Sequence, residues 1–259
     1  MISVSIPLQQ LQMFFLIFFR VGSILMTMPI FKSKSIPVLI KAGLALATSM
    51  ALMPTLNLES FPLITGLIPL VIGIFGEILL GISIGLAVNF IFAGLQLAGQ
   101  LAGYQMGMAI ARVMDPSTNQ QMPLLGQFNE LFALLVFITV NAHHRIVQAL
   151  ADSYQLLPPL GFRISGSLIE QLVDIGGNMF VIAIKLGAPI IAVLLLTSVA
   201  FGLIARTVPQ MNVFFVAMPF KIGVGLFFIG VCLPYFSSFL KLIFSKLSGT
   251  IMLLIKAAS

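Results

Sequence analysis

Apolar residues run along this chain in long blocks, interrupted by only a few lone charges and separated by more polar stretches. The blocks predict helices over about 8–28, 37–53, 62–92, 128–150, 175–205 and 213–236, with a shorter piece over 237–257. None alternates with the period of two that a membrane barrel strand requires. A helix satisfies its backbone polar groups internally, as lipid demands, so an all-α polytopic membrane fold is expected. The run over 62–92 is longer than an upright crossing at about 1.5 Å per residue. It must tilt, break near Gly73 or Gly76, or project beyond the lipid. The last piece sets Lys241, Lys246 and Lys256 among Leu, Ile and Phe, the pattern of an interfacial or protein-covered helix.

Residues 78–111 carry no charge, yet they hold Gln96, Gln100 and Gln105 beside Gly99, Gly103 and Gly107 at four-residue spacing. Small residues at that spacing let a neighbouring backbone approach closely, although they are also frequent in any membrane helix. The stretch 105–127 reads as a nominal loop containing Met106, Met108, Met114 and Met122. Methionine is unbranched and deformable, which suits a seal that reopens; ordinary core filling is the alternative. Asp115 and Pro116 mark a turn with a polar tip, and Arg112 stands three residues before Asp115, close enough to pair on a helical turn. Further on, Arg206, Pro209, Gln210 and Asn212 follow an apolar run and predict a tight turn between two helices, because proline cannot continue the first.

Composition narrows the function classes. Charged residues make up 8% and apolar residues 59%, against about 25% and 45–50% in a soluble domain, so the chain belongs in a bilayer or a lipid-like assembly. At about 20 residues per crossing there is room for six to eight membrane segments and no soluble catalytic domain. The net charge of +6 comes from basic residues scattered singly, which excludes a nucleic-acid surface. Arg20 follows the first apolar residues instead of preceding them, which argues against a cleaved secretory signal. Lys32, Lys34 and Lys41 make the first connection the densest basic loop and place it on the cytoplasmic side.

Candidate chemistry is sparse. His143 and His144 are adjacent, with Asp152 the nearest acidic residue, too few ligands for a metal site. Cys232 reads as a packing residue. Glu77 and Lys185 sit in apolar surroundings and are the kind of charge that carries ions in transporters, although helix-end or partner-facing positions are more common. No phosphate-binding loop, nucleophile elbow or zincin motif occurs. A self-contained secondary transporter and a membrane enzyme centred on the histidines remain competing classes at this point.

The segment QLAGQLAGYQMG at 96–107, the Asp115–Pro116 pair, SIPVLIKAGLALA at 35–47 and ARTVPQMNVFFVAMPFK at 205–221 together resemble the FliR/SctT family of type III export gates, flagellar and injectisome. The likeness spans essentially the whole chain and favours the flagellar branch. It implies a non-enzymatic subunit without cofactor or metal that joins FliP-like and FliQ-like subunits, with an FlhB-like neighbour, in the bacterial cytoplasmic membrane at the flagellar basal body. Unfolded export substrates would pass through the pore. Residues 1–160 would correspond to a FliP-like part and 161–259 to a FliQ-like hairpin. The family's plug loop would map onto 105–122, with Gln105, Met106, Gly107, Met108, Ile110, Arg112, Met114, Asp115, Pro116 and Met122 as its residues. Some members carry phenylalanine where this chain has Ile110 and Val113, and Arg112 adds a charge that an all-apolar plug lacks.

Overall fold

The computed structural model describes residues 8–31, 36–55, 64–108, 124–208, 210 and 212–259. These form α1 (Leu8–Thr27), a 3-10 turn (Pro29–Phe31), α2 (Val38–Leu52), a second 3-10 turn (Met53–Thr55), α3 (Leu67–Gln105), α4 (Leu124–Thr139), α5 (Ala142–Leu156), α6 (Gly166–Thr207) and α7 (Val213–Ala257). There is no strand among the described residues. α1, α3, α6 and α7 are each long and apolar enough to cross a membrane, and α4 with α5 would make a fifth span if counted as one broken helix.

Besides α6, which begins at Gly166 and not near 175, three boundaries differ from the sequence expectation. α3 does not stop or break near Gly73, Gly76 or Phe92 but runs on to Gln105, since nothing between Phe92 and Gly107 interrupts a helix: its polar members are glutamines, which are good helix formers. The expected 237–257 piece is continuous with the helix before it, and α7 carries Pro219 and Pro234 internally, as membrane helices tolerate. The block over 128–150 is two helices, because Asn141 adopts φ 53 and halts the first of them.

The chain divides into two compact units. The first takes residues 1–90, 141–176 and 245–259, and its core is built by Leu16, Ile17 and Ile24 of α1, Leu80 and Ile84 of α3, Ile146 and Leu150 of α5, and Leu254 and Ile255 of α7. Gly76 lies where a Cβ would come within 3.3 Å of Phe162 Cβ, so in α3 it makes room for the α5–α6 connection. The end of α7 is strapped to that connection: Arg163 N–H donates to Ala258 O at 2.9 Å, and Ser165 Oγ donates to Ala257 O.

The second unit takes residues 91–140 and 177–244. Phe92, Phe137 and Phe244 form its aromatic centre, with ring centroids 5.1–5.9 Å apart. Both units draw on residues from each side of position 160. Large apolar side chains are exposed throughout α2, α6 and α7, and only 11% of the most apolar window of α7 is buried within the chain. That much apolar surface needs lipid or other protein against it.

Candidate functional site

Two constellations stand out, one in each unit. In the second unit the end of α3 is built for backbone contact. A Cβ on Gly99 would lie 2.5 Å from Leu125 O and 2.8 Å from Gly126 N, so no side chain fits between α3 and the first turn of α4. From the other side, a Cβ on Gly126 would meet Gln96 Cγ at 3.3 Å and Gln100 Cγ at 3.4 Å; the glutamine stems lie over it. Asn129 Nδ2 donates to Leu95 O at 3.2 Å, a hydrogen bond between helices that leaves the buried amide satisfied. Gly94 stands in the same relation to α6, where a Cβ would come 2.7 Å from Met179 O. Gly103 is different: its nearest neighbour would be Leu125 Cδ1 at an ordinary 3.7 Å.

α3 ends after Gln105, which is half-buried. Gly107 takes φ +81, the left-handed conformation that closes helices, and its N–H donates to Tyr104 O at 3.0 Å. Met106 is fully buried, with its Sδ against Gly225 of α7, where an added Cβ would lie 2.9 Å away. Met108 is half-buried. The structure therefore fixes the root of the methionine-bearing stretch, whereas Ile110, Arg112, Met114, Asp115, Pro116 and Met122, with the Arg112–Asp115 pairing, lie outside the described residues. At the α6–α7 turn, Arg206, Gln210 and Asn212 are exposed, and Asn212 O accepts from Phe215 N–H at 3.2 Å; Pro209 lies outside the described residues.

The second constellation, in the first unit, pairs residues that sequence reasoning left apart. Arg20 of α1 is fully buried and all five of its N–H donors are engaged. Nε donates to Glu77 Oε2 and Nη2 to Glu77 Oε1 at 3.0 Å, a bidentate fork on α3. Nη1 donates to Ser153 Oγ at 3.1 Å, and both Nη atoms reach Leu157 O at 3.2 Å. The guanidinium carbon lies 4.2 Å from the centre of the Tyr154 ring. Glu77 Oε1 also accepts from the Leu160 N–H at 3.3 Å, and Leu160 has φ +73, a conformation a leucine adopts only when its surroundings impose it.

That cluster joins α1, α3 and the end of α5 through one satisfied set of hydrogen bonds. With its charge already matched, Glu77 is not poised to carry an ion, and Lys185 is exposed. A signal for the pair was present: Arg20 is the first charge in the chain, and Glu77 is the only charge between Glu59 and Arg112. Two lone charges of opposite sign in apolar helices need each other. The rings of His143 and His144 are 4.4 Å apart, and among the described residues no group of three or more His, Cys, Asp or Glu could hold a metal ion.

These features define a polytopic helical membrane protein whose polar groups serve helix contact. Its glycines seat backbones and its buried charges neutralise one another. The family of bacterial export proteins, family 1, matches residues 11–247, and the chain belongs to it. It is similar to the flagellar biosynthetic protein FliR of Escherichia coli strain K12, 30% identical over 240 residues that cover 93% of this chain and 91% of the relative. The protein of the same name from Bacillus subtilis strain 168 is 33% identical over 244 residues, 90% of each chain. That from Pectobacterium carotovorum is 32% identical over 236 residues, 90% of this chain and 88% of the relative.

Proposed function

We propose that this chain is a non-enzymatic structural and gating subunit of a flagellar type III protein export channel in the bacterial cytoplasmic membrane, at the basal body. The observation that carries this reading is the mismatch between what the chain buries and what it exposes: α6 and α7 display large apolar residues, and Gly202, Gly223 and Gly230 have nothing within 4 Å of an added Cβ. Close-packing residues with nothing packed on them are what a subunit presents to its neighbours. FliP-like and FliQ-like subunits are those neighbours in this proposal, with an FlhB-like subunit beside them. Residues 1–160 play the FliP-like part and 161–259 the FliQ-like hairpin. Unfolded substrates pass through the assembled pore.

The stretch 105–122 closes that pore at rest, in this reading. Support comes from its anchorage, since Met106 is held against Gly225 and the chain leaves the helix at Gly107. Opening is a shift of population toward a displaced loop when substrate offers it better contacts than the closed packing does. The sequence holds no phosphate-binding loop, and in this reading the energy is supplied elsewhere.

The test is expression of the tagged protein with its own FliP and FliQ counterparts, purification in mild detergent, and the intact mass of the complex. A discrete hetero-oligomer is expected, and deletion of residues 112–121 in that complex should let small ions leak across the membrane. A stable monomer that ignores those partners would sink the assembly reading; an ion-tight deletion would sink the plug.

A further inference from the structure

The first unit contains an open apolar groove with a volume of about 370 Å³, lined by Phe18, Gly22 and Met26 of α1, Ala45 of α2, and Ile78 and Ile82 of α3. Its size falls within the range of about 300–1,000 Å³ typical of small-molecule sites. No polar surface lines it. The two hydroxyls on its border turn into their own helix: Ser23 Oγ donates to Arg20 O at 2.9 Å and Thr27 Oγ1 to Ser23 O at 2.8 Å. The groove is open on one side and offers water no hydrogen-bond partner, so an apolar guest from the surroundings covers it better than water does. A peptide backbone is a poor guest as well, because its amides would go unpaired. Along α1 the lining extends from Phe18 to Thr27, about 14 Å at the helical rise, which suits a chain molecule.

Charge marks one end of that length. Thr27 is the last residue of α1, and Ala42, which also borders the groove, directly follows Lys41 near the start of α2. No acidic residue precedes Glu59 in the sequence, and Glu77, the acid that α3 contributes to this unit, is engaged by Arg20. A basic group beside a groove between membrane helices is complementary to an anionic lipid headgroup. We propose that the groove holds one acyl chain of an acidic phospholipid whose phosphate lies toward Lys41.

The test uses the full chain purified with its partner subunits and a phosphatidylglycerol carrying a photoreactive diazirine on its acyl chain. Adducts should concentrate at residues 18–27 and 42–45. Unlabelled phosphatidylglycerol should compete about fivefold better than phosphatidylcholine, the discrimination that one lysine near the surface provides. Ala42→Phe fills the groove from α2 and should abolish the adducts, whereas Lys41→Gln should keep the labelling and lose the preference. Adducts spread evenly over every apolar helix would overturn the proposal, as would their absence from 18–27, which would assign the groove to a neighbouring subunit. Equal competition by the two lipids in the wild-type protein would overturn the headgroup assignment whether or not either variant folds.

Discussion

Replacing Glu77 by glutamine removes one charge and almost no volume, so it isolates what the buried pair contributes. In the variant Arg20 keeps Ser153 Oγ and Leu157 O but faces an amide where it had a bidentate carboxylate. Removing one member of a buried pair strands the other charge, at a cost of about 3–5 kcal/mol. The figure agrees in size with the cost of an unpaired arginine at the centre of a membrane helix, about 2.5–3.5 kcal/mol, which offsets roughly six leucine-class residues. For a chain of this length each kcal/mol lowers the melting temperature by about 2–4 °C, so Glu77→Gln should melt roughly 6–20 °C below the wild type. The assay is the fraction of monodisperse protein remaining on size exclusion after heating in detergent. A loss smaller than about 3 °C would refute the view that this cluster holds α1, α3 and the end of α5 together.

A charge swap separates plain Coulomb attraction from the directed network. Arg20→Glu with Glu77→Arg restores opposite charges, but a carboxylate at position 20 cannot donate to Leu157 O, and an arginine at 77 cannot accept from Leu160 N–H. The buried Leu157 O then loses its donors, at about 1–3 kcal/mol, and the partly buried Leu160 N–H loses its acceptor at a smaller cost. The swap should therefore rescue little of the loss; full recovery would show that charge alone matters.

The glycines give a paired prediction, because Gly99→Ala and Gly103→Ala are the same change in different surroundings. The first forces a methyl against the Leu125 carbonyl and should cost about 1–3 kcal/mol, while the second meets only Leu125 Cδ1 and should be neutral or stabilising by up to about 1 kcal/mol, both read as melting shifts. Gly223→Leu and Gly230→Leu enter open space in the isolated chain, so its melting should not change, yet they should abolish co-purification of the partner subunits; retained partners would mean that this face is not the interface. Double replacement of His143 and His144 by alanine should leave protein export intact in a complex that still assembles, and loss of export there would reopen a chemical role for the pair.

The apolar blocks made the helical fold legible because lipid permits little else at such hydropathy, whereas proline alone is a weak stop signal here, since Pro189, Pro219 and Pro234 all lie inside helices. What stayed hidden depends on distance through space. Gly99 and Gly103 are indistinguishable by spacing, and only the approach of α4 at Leu125 separates one that cannot bear a methyl from one that can. The length of α3 was hidden for a different reason: the apolar block ends at Phe92, and only the structure carries the helix on to Gln105 with the stems of Gln96 and Gln100 over Gly126. Arg20 and Glu77 are 57 positions apart and no local period connects them. Their pairing follows only from asking where each lone charge in an apolar run finds its counterion, a question about the whole chain. The same question has a different answer for Lys185, which is exposed on α6 and has no acidic partner within hydrogen-bonding distance among the described residues. Pairing within the chain thus separates the charges that hold α1, α3 and the end of α5 together from Lys185, which stays exposed beside Ile184 on α6.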